Sequence, residues 1–439
     1  MVSAPVRSMP LDGMPWTACG VDVGHHGRSG WASEPRRAQV SPEGRPSPRK
    51  LVPTTVPAAH HHATARVAMI GAGQLARMTH QAAVDLDVEL HVLAKRADEP
   101  AVLAGAPYRI GSHLDLADVL AGAGDGDVVT FDHELVPPPL LAHLEAAGHV
   151  LRPSAAALLF AQDKIAARER LSAAGYPVPA FATVASPAGV AEFAAEHGWP
   201  VVLKARAGGY DGRGVIFIAG PADLPADLEW ATPSSPAWLV EAHVDLAVEL
   251  AVLVARRPSG AAVSYPVVET TQLDGICIEV VTPARIAPEV AERAGVLARS
   301  IVEHIGSVGI CAVELFVSAA GEILVNEVAL RPHNSGHITI EANATSQFHQ
   351  HLRAVLDWPL GATGLITPAA AMVNLIGVSS QSDPGRRLPL ALANEGAQVH
   401  LYAKESRPGR KIGHVTAMAA TADAALDVAR AARASLLGS

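Results

Sequence analysis

Residues 204–214 read KARAGGYDGRG. The stretch follows the apolar run Val201-Val202-Leu203 and precedes a second one, VIFIA, at 215–219. Two short apolar runs around a glycine-rich loop predict a β-hairpin. Four glycines fall within residues 208–214. Glycine tolerates positive φ and lets backbone N–H groups come close to a ligand. Lys204 closes the first strand, where its ammonium can neutralise a phosphate. A mobile cover for a polyphosphate needs these properties together. A plain glycine-rich turn is the competing reading, and Asp211 and Arg213 inside the loop weigh against it.

A second stretch, CAVELFVSAAGEILVNEVALRPHNSGH at 311–337, supplies what such a cover would close over. The turn AAGE predicts an antiparallel pair of strands. Folding the chain about that turn places Glu314 opposite Asn326 or Glu327. A lone charge in an apolar strand costs roughly several kcal/mol, and two adjacent carboxylates repel. A hard cation resolves both problems, since Mg²⁺ takes one or two carboxylates together with substrate phosphates. A charged pair at a solvent edge is the alternative. Arg331, His333, Asn334, Ser335 and His337 follow at once and gather donors for a small planar anion.

Two further motifs lie outside this pair. YAKESRPGRKIGH at 402–414 is a basic loop between two strands, either a solvated charge run or a phosphate-binding segment. GAGQLA at 71–76 follows the strand RVAMI and opens a helix, as a phosphate-binding turn does. A dinucleotide site would also need an acid at the end of the next strand. Ala94 and Lys95 stand there, so NAD is disfavoured.

The rest of the chain sets the frame. Residues 1–65 are rich in Pro, Arg, Ser and Gly without hydrophobic period, and read as a disordered extension. The run His60-His61-His62 has no neighbouring Cys or carboxylate to complete a metal site. From residue 66 strands and helices alternate to about 160, giving a small α/β domain. SAAALLFAQDKIAARERLSAAG (154–175) reads as one helix ending before Pro177. Residues 161–360 carry both chemistry-bearing stretches, with a further helix over roughly 288–305. Residues 361–439 form a last small domain.

Composition narrows the class. The 439 residues carry a net charge of −9, and aromatics make up only 4%. Neither duplex binding nor base stacking fits those values, so no nucleic-acid partner is expected. Three cysteines lie far apart, which argues against a disulfide framework and for a reducing, cytoplasmic setting. No apolar run reaches the ~20 residues of a membrane span.

Together these motifs resemble the ATP-grasp superfamily, and within it the N5-carboxyaminoimidazole ribonucleotide synthetase family. The likeness covers about residues 66–435. It rests on GGYDGRG, NEVALRPHNSGH and KESRPGRKIGH in that order, with GAGQLARM and VTFDHELVP in the first domain. It implies an α/β and α+β multidomain architecture: an ATP-grasp fold with an N-terminal Rossmann-like pre-ATP-grasp domain and a small β-rich C-terminal domain. The implied activity is ATP-dependent carboxylation of aminoimidazole ribonucleotide with bicarbonate in purine biosynthesis, with Mg²⁺, in a cytoplasmic homodimer.

The resemblance also implies roles by position. Lys164 and Lys204 match ATP-phosphate contacts. Gly209, Tyr210, Asp211, Gly212, Arg213, Gly214 and Val215 match the phosphate lid. Glu241, Ala242, His243 and Val244 match the segment that meets adenine, and Glu249 the acid on the ribose hydroxyls. Gln272 falls where a relative carries a histidine near ATP. Glu314 and Glu327 match the Mg²⁺ carboxylates, with Asn326 beside them. Arg331, His333 and Asn334 match a bicarbonate pocket. The ribonucleotide site matches Gly73, Gln74, Leu75, Tyr210, Asp211, Arg213, Lys404, Arg410 and Lys411, with Glu134 as a further candidate. Asp211 would orient the substrate amine or take its proton. The chain departs from the family pattern at Leu330, usually proline, and at Asp132-His133-Glu134, often Glu-Phe-Glu. Another ATP-grasp ligase (formate-using or biotin-carboxylase-like), a nucleotide-dependent oxidoreductase and a non-catalytic ATP-binding module are the competing readings.

Overall fold

The computed structural model describes residues 65–208, 214–225, 228, 230, 238–379 and 383–438. Its first part is a parallel sheet of four strands, in the order Tyr108–Ile110, Val88–Ala94, Ala65–Ile70, Val128–Phe131. Val67 to Ile70 and Val128 to Phe131 are buried without interruption, as strands covered on both faces should be. The chain order reverses between Ala65–Ile70 and Val128–Phe131, and a crevice opens at their carboxyl ends. Gly71 sits there at φ +111°, where a Cβ would come 2.0 Å from Asp132 Oδ1. Glycine is therefore required, and Asp132 fills the space it leaves.

The second sheet is antiparallel, in the order Phe181–Val184, Trp238–Ala242, Val201–Ala205, Val215–Ile218. Lys204 pairs with Val215 across the hairpin, so the glycine stretch is its connection. Gly209, Tyr210, Asp211, Gly212 and Arg213, all assigned to the lid or the substrates from sequence, lie outside the described residues, as do residues 1–64 of the extension with its histidine run, while Ala65 opens the first strand.

The third sheet has nine strands and spans what the sequence reads as two domains. Ile323–Ala329, Gly309–Ser318, Leu246–Arg256, Val268–Leu273 and Ile276–Thr282 continue into Ala369–Ile376, Lys411–Ala419 and Ala397–Leu401, and the short ninth strand Ala262–Ser264 pairs with the end of Leu246–Arg256. The join is antiparallel pairing of Glu279 to Thr282 with Val373 to Ala370. The C-terminal segment is thus an extension of the central sheet, closed by the helix Ala422–Leu437. Behind the sheet the helix Pro288–Ile305 buries Ala294, Ala298, Ile301, Val302 and Ile305, one stripe at helical period. It ends on Gly306 at φ +69°. Leu250, Val252, Val254, Val313 and Leu315 complete this core.

One element differs from the sequence reading. The helix expected over 154–175 is two, Ala155–Gln162 and Lys164–Ala173. Asp163 breaks it at φ −127°, ψ 101°, and its carboxylate accepts the Ala166 N–H as an N-cap. Arg206 also pairs with Asp163, which holds the break in place. The alanine-rich pattern runs through the break and conceals it.

Candidate active site

A cleft of 1570 Å³ runs between the parallel sheet, the hairpin sheet and the central sheet. The hairpin Gly309–Ser318/Ile323–Ala329 forms one wall, and its register sets Glu314 directly opposite Glu327. A bulge between Glu314 and Leu315 follows at once. Lys164, first residue of its short helix, places Nζ 2.9 Å from Glu327 Oε2. Burial pushes the Lys164 ammonium down, but Glu327, Glu241 and Glu314 outweigh it and the net shift is upward. Glu327 is shifted the other way: burial works against its charge, and Lys164, Lys204 and His333 hold its carboxyl below the usual range.

Behind this pair lies a buried ion group that sequence reasoning missed. Glu241 is 2% exposed, and its Oε2 lies 2.7 Å from Lys204 Nζ. Its other oxygen is taken by Arg168. Arg168 donates in turn to the backbone oxygens of Val325 (2.7 Å) and Asn326 (2.9 Å). Lys204 also donates to Asn326 Oδ1 at 3.1 Å. Burial raises the Glu241 carboxyl, Lys204 and then Arg168 lower it further, and it stays ionised. The Glu241 side chain is therefore occupied internally. Arg168 lies one helical turn after Lys164, on the same face, which is the signal that could have found it.

Glu249 stands opposite Phe316 and Thr270 in the central sheet. Burial first, then the charge of Glu314, push its carboxyl up to about 7, against a lowering hydrogen bond from Gln272. The folded chain thus keeps a proton that the unfolded chain releases near pH ~4.3. Stability conferred by that proton is lost as pH rises through about 7. In the ligand-free protein, Glu249→Gln is expected to raise the thermal midpoint more at about pH 8 than at about pH 4.5. Equal shifts at the two pH values in a melting series would contradict this environment for Glu249.

The anion cluster is held from several sides. Arg331 Nε donates to Glu134 Oε2 at 2.7 Å, and Glu134 Oε1 accepts the Leu330 N–H. His333 Nδ1 lies 2.9 Å from Ser335 Oγ and 3.4 Å from the Ser335 backbone nitrogen, and its Nε2 lies 3.1 Å from Glu314 Oε1. The His333 backbone is gripped by the Gln347 amide, which accepts at its oxygen and donates at its nitrogen, both 2.8 Å. Asn334 and Asn374 exchange two amide bonds of 3.1 and 2.7 Å. Gln347 and Asn374 carried no sequence signal.

At the far end, Lys404 reaches from the basic loop onto the Gln74 side chain. Arg410 Nη1 donates to the Glu405 backbone oxygen. Leu75, Arg410 and Lys411 line the cleft with them. The Gly73 N–H is already donated to Asp132 Oδ2 at 2.5 Å, which leaves the Gln74 side chain and the first backbone N–H groups of the helix as the polar contribution of that turn. His133, next to Asp132, packs edge-on against His113 at 4.7 Å. Among the described residues no group of three or more His, Cys, Asp or Glu forms a self-sufficient metal site. The Glu314–Glu327 pair with Asn326 matches the donor set of a cation shared with substrate phosphates.

Comparison with known proteins agrees with this layout. Residues 64–162 match the ribonucleotide synthetase preATP-grasp domain, 169–348 the ATP-grasp domain, and 370–428 the phosphoribosylaminoimidazole carboxylase C-terminal domain. N5-carboxyaminoimidazole ribonucleotide synthase of Mycobacterium tuberculosis is 48% identical over 353 residues, 80% of this chain and 82% of that one. The crystal structure of N5-carboxyaminoimidazole ribonucleotide synthetase from Thermotoga maritima aligns with a TM-score of 0.74 and 36% identity, over 84% of this chain and 98% of that one. That of the Aspergillus clavatus synthase in complex with ADP and 5-aminoimidazole ribonucleotide aligns with a TM-score of 0.77 and 32% identity, over 85% and 99%.

Proposed function

The chain belongs to the N5-carboxyaminoimidazole ribonucleotide synthase family, and from that premise we propose how its own residues divide the work. It is an ATP-dependent ligase that carboxylates 5-aminoimidazole ribonucleotide in purine biosynthesis. The observation that carries the site assignment is the in-register Glu314–Glu327 pair facing Lys164 and Lys204 across one cleft.

Apolar Val202, Leu239, Leu246 and Phe316 line the part of the cleft that suits adenine. The N–H groups of Ala242 and His243 are taken by Ala180 and Pro200 oxygens, so the edge contact falls to Val244. Glu249 accepts from the ribose hydroxyls. Lys204 is held by Glu241 and Asn326 before any ligand arrives, so its charge costs little reorganisation when it meets phosphate. Lys164 does the same from the other side. Glu314 and Glu327, with Asn326, would hold Mg²⁺, which when bound would neutralise phosphate charge.

Bicarbonate sits at Arg331, His333 and Asn334. One of its oxygens attacks the γ-phosphorus and the bond to ADP breaks, giving carboxyphosphate. The exocyclic amine of the ribonucleotide then attacks carbon, phosphate leaves and the amine proton is released. By the resemblance, the glycine stretch with Tyr210, Asp211 and Arg213 serves both substrates, and closing it would exclude water that hydrolyses the carboxyphosphate. Gln74, Lys404, Arg410 and Lys411 hold the ribonucleotide. A homodimer and a cytoplasmic setting complete this reading. Among the described residues, no helix is long and apolar enough to cross a membrane.

Bicarbonate labelled with ¹⁸O tests the pathway: each phosphate released is expected to carry one labelled oxygen, and unlabelled phosphate overturns the carboxyphosphate step. Arg410→Ala is expected to raise KM for the ribonucleotide about tenfold, with KM for ATP within about twofold, as loss of one charge-assisted contact implies. Equal increases in both constants, measured by ADP release, would remove Arg410 from the ribonucleotide site.

A further inference from the structure

The basic loop begins in a fixed way. Tyr402 follows the strand Ala397–Leu401, is buried, and donates its backbone N–H to the Ile412 oxygen at 3.0 Å. Its hydroxyl lies 2.7 Å from His414 Nδ1, also buried. Burial pushes the Tyr402 phenol well above its ordinary range, so the proton stays on oxygen and is donated. Burial, then His400 and His337, hold the His414 imidazole well below its ordinary range, so a neutral ring accepts at Nδ1. That ring cannot turn easily. His400 stacks on it at 4.5 Å and 13°, and His337 at 5.1 Å and 29°. His400 is tied to Glu341 at 2.6 Å, and His337 takes the Gln347 amide at 3.1 Å.

Directly after Tyr402, Ala403 adopts φ +54°. The left-handed region is unfavourable for alanine and persists where the surroundings over-determine it. The turn carries the chain from the buried histidine stack to the cleft, where Lys404 meets Gln74 of the parallel-sheet domain.

We propose that Tyr402 and His414 are positioning residues: their buried hydrogen bond holds Ala403 in its left-handed turn and so aims Lys404 at the ribonucleotide. The proposal rests on Lys404 belonging to the ribonucleotide site. Tyr402→Phe keeps the ring and deletes the hydroxyl. It is expected to raise KM for the ribonucleotide about 5–20-fold, the effect of one buried hydrogen bond, with KM for ATP within about twofold.

Two combinations separate positioning from packing. In a Lys404→Met background, Tyr402→Phe should add less than about twofold, because the group it aims is gone. Ala403→Gly, which accepts φ +54° without strain, should return part of the lost affinity to Tyr402→Phe. Full additivity with Lys404→Met, or no gain from Ala403→Gly, overturns the proposal and leaves the site intact. If Lys404→Met alone leaves KM for the ribonucleotide unchanged, the site assignment falls and the proposal with it.

Discussion

Glu327→Gln is expected to leave a folded protein whose ATP turnover is at least about a thousandfold slower, the scale seen when a group aimed at developing charge is removed. The substitution keeps shape and hydrogen-bonding reach but deletes one of two facing negative charges. Two consequences follow. The remaining acid, Glu314, is already engaged by His333 and Asn326 and cannot hold a divalent cation as well alone. Lys164 also loses its ionic partner and keeps only a neutral amide oxygen as acceptor. Glutamine is isosteric with glutamate, and Glu327 stands on the cleft wall, so the substitution creates no cavity and should spare the fold. ADP release at saturating ATP, Mg²⁺ and bicarbonate reads the effect, with circular dichroism as the control. Turnover within about tenfold of the parent protein would refute the metal assignment.

Glu241→Ala is expected to act on stability instead. Lys204 and Arg168 are 9% and 5% exposed, and the Glu241 carboxylate pairs with both. Removing it strands two cations in a low-dielectric site, which typically costs about 3–5 kcal/mol. A fall of about 6–10 °C in thermal midpoint is the corresponding scale. Glu241→Gln should lose less, since an amide oxygen still accepts from one cation. A midpoint for Glu241→Ala within about 2 °C of the parent would mean that water reaches this group.

The two halves of this site were unequally legible. The facing acids could be read because a tight turn sets strand register, and register at period two decides which residues oppose. The glycine hairpin was readable because two short apolar runs flank a glycine-rich loop. The ion group was not: Arg168, Lys204 and Glu241 come from three elements far apart in sequence, and each alone reads as a surface charge. Asp132 was hidden likewise, since its role is to fill the space that Gly71 and Gly73 leave on a different strand. The join between Ile276–Thr282 and Ala369–Ile376, which merges two expected domains into one sheet, depends on long-range pairing that no local pattern encodes. The helix break at Asp163 was masked by strong helix formers on both sides, and only Arg206 shows why it is kept.

Catalysis depends on where the metal and the triphosphate meet. Crystals grown with Mn²⁺ in place of Mg²⁺ and a non-hydrolysable ATP analogue would locate the ion by anomalous scattering. The prediction is a peak within about 2–2.3 Å of carboxylate oxygens of both Glu314 and Glu327, with the γ-phosphate in reach of Lys164 and Lys204. A peak bound elsewhere in the cleft, with those two carboxylates still engaged only by His333 and Lys164, would contradict it.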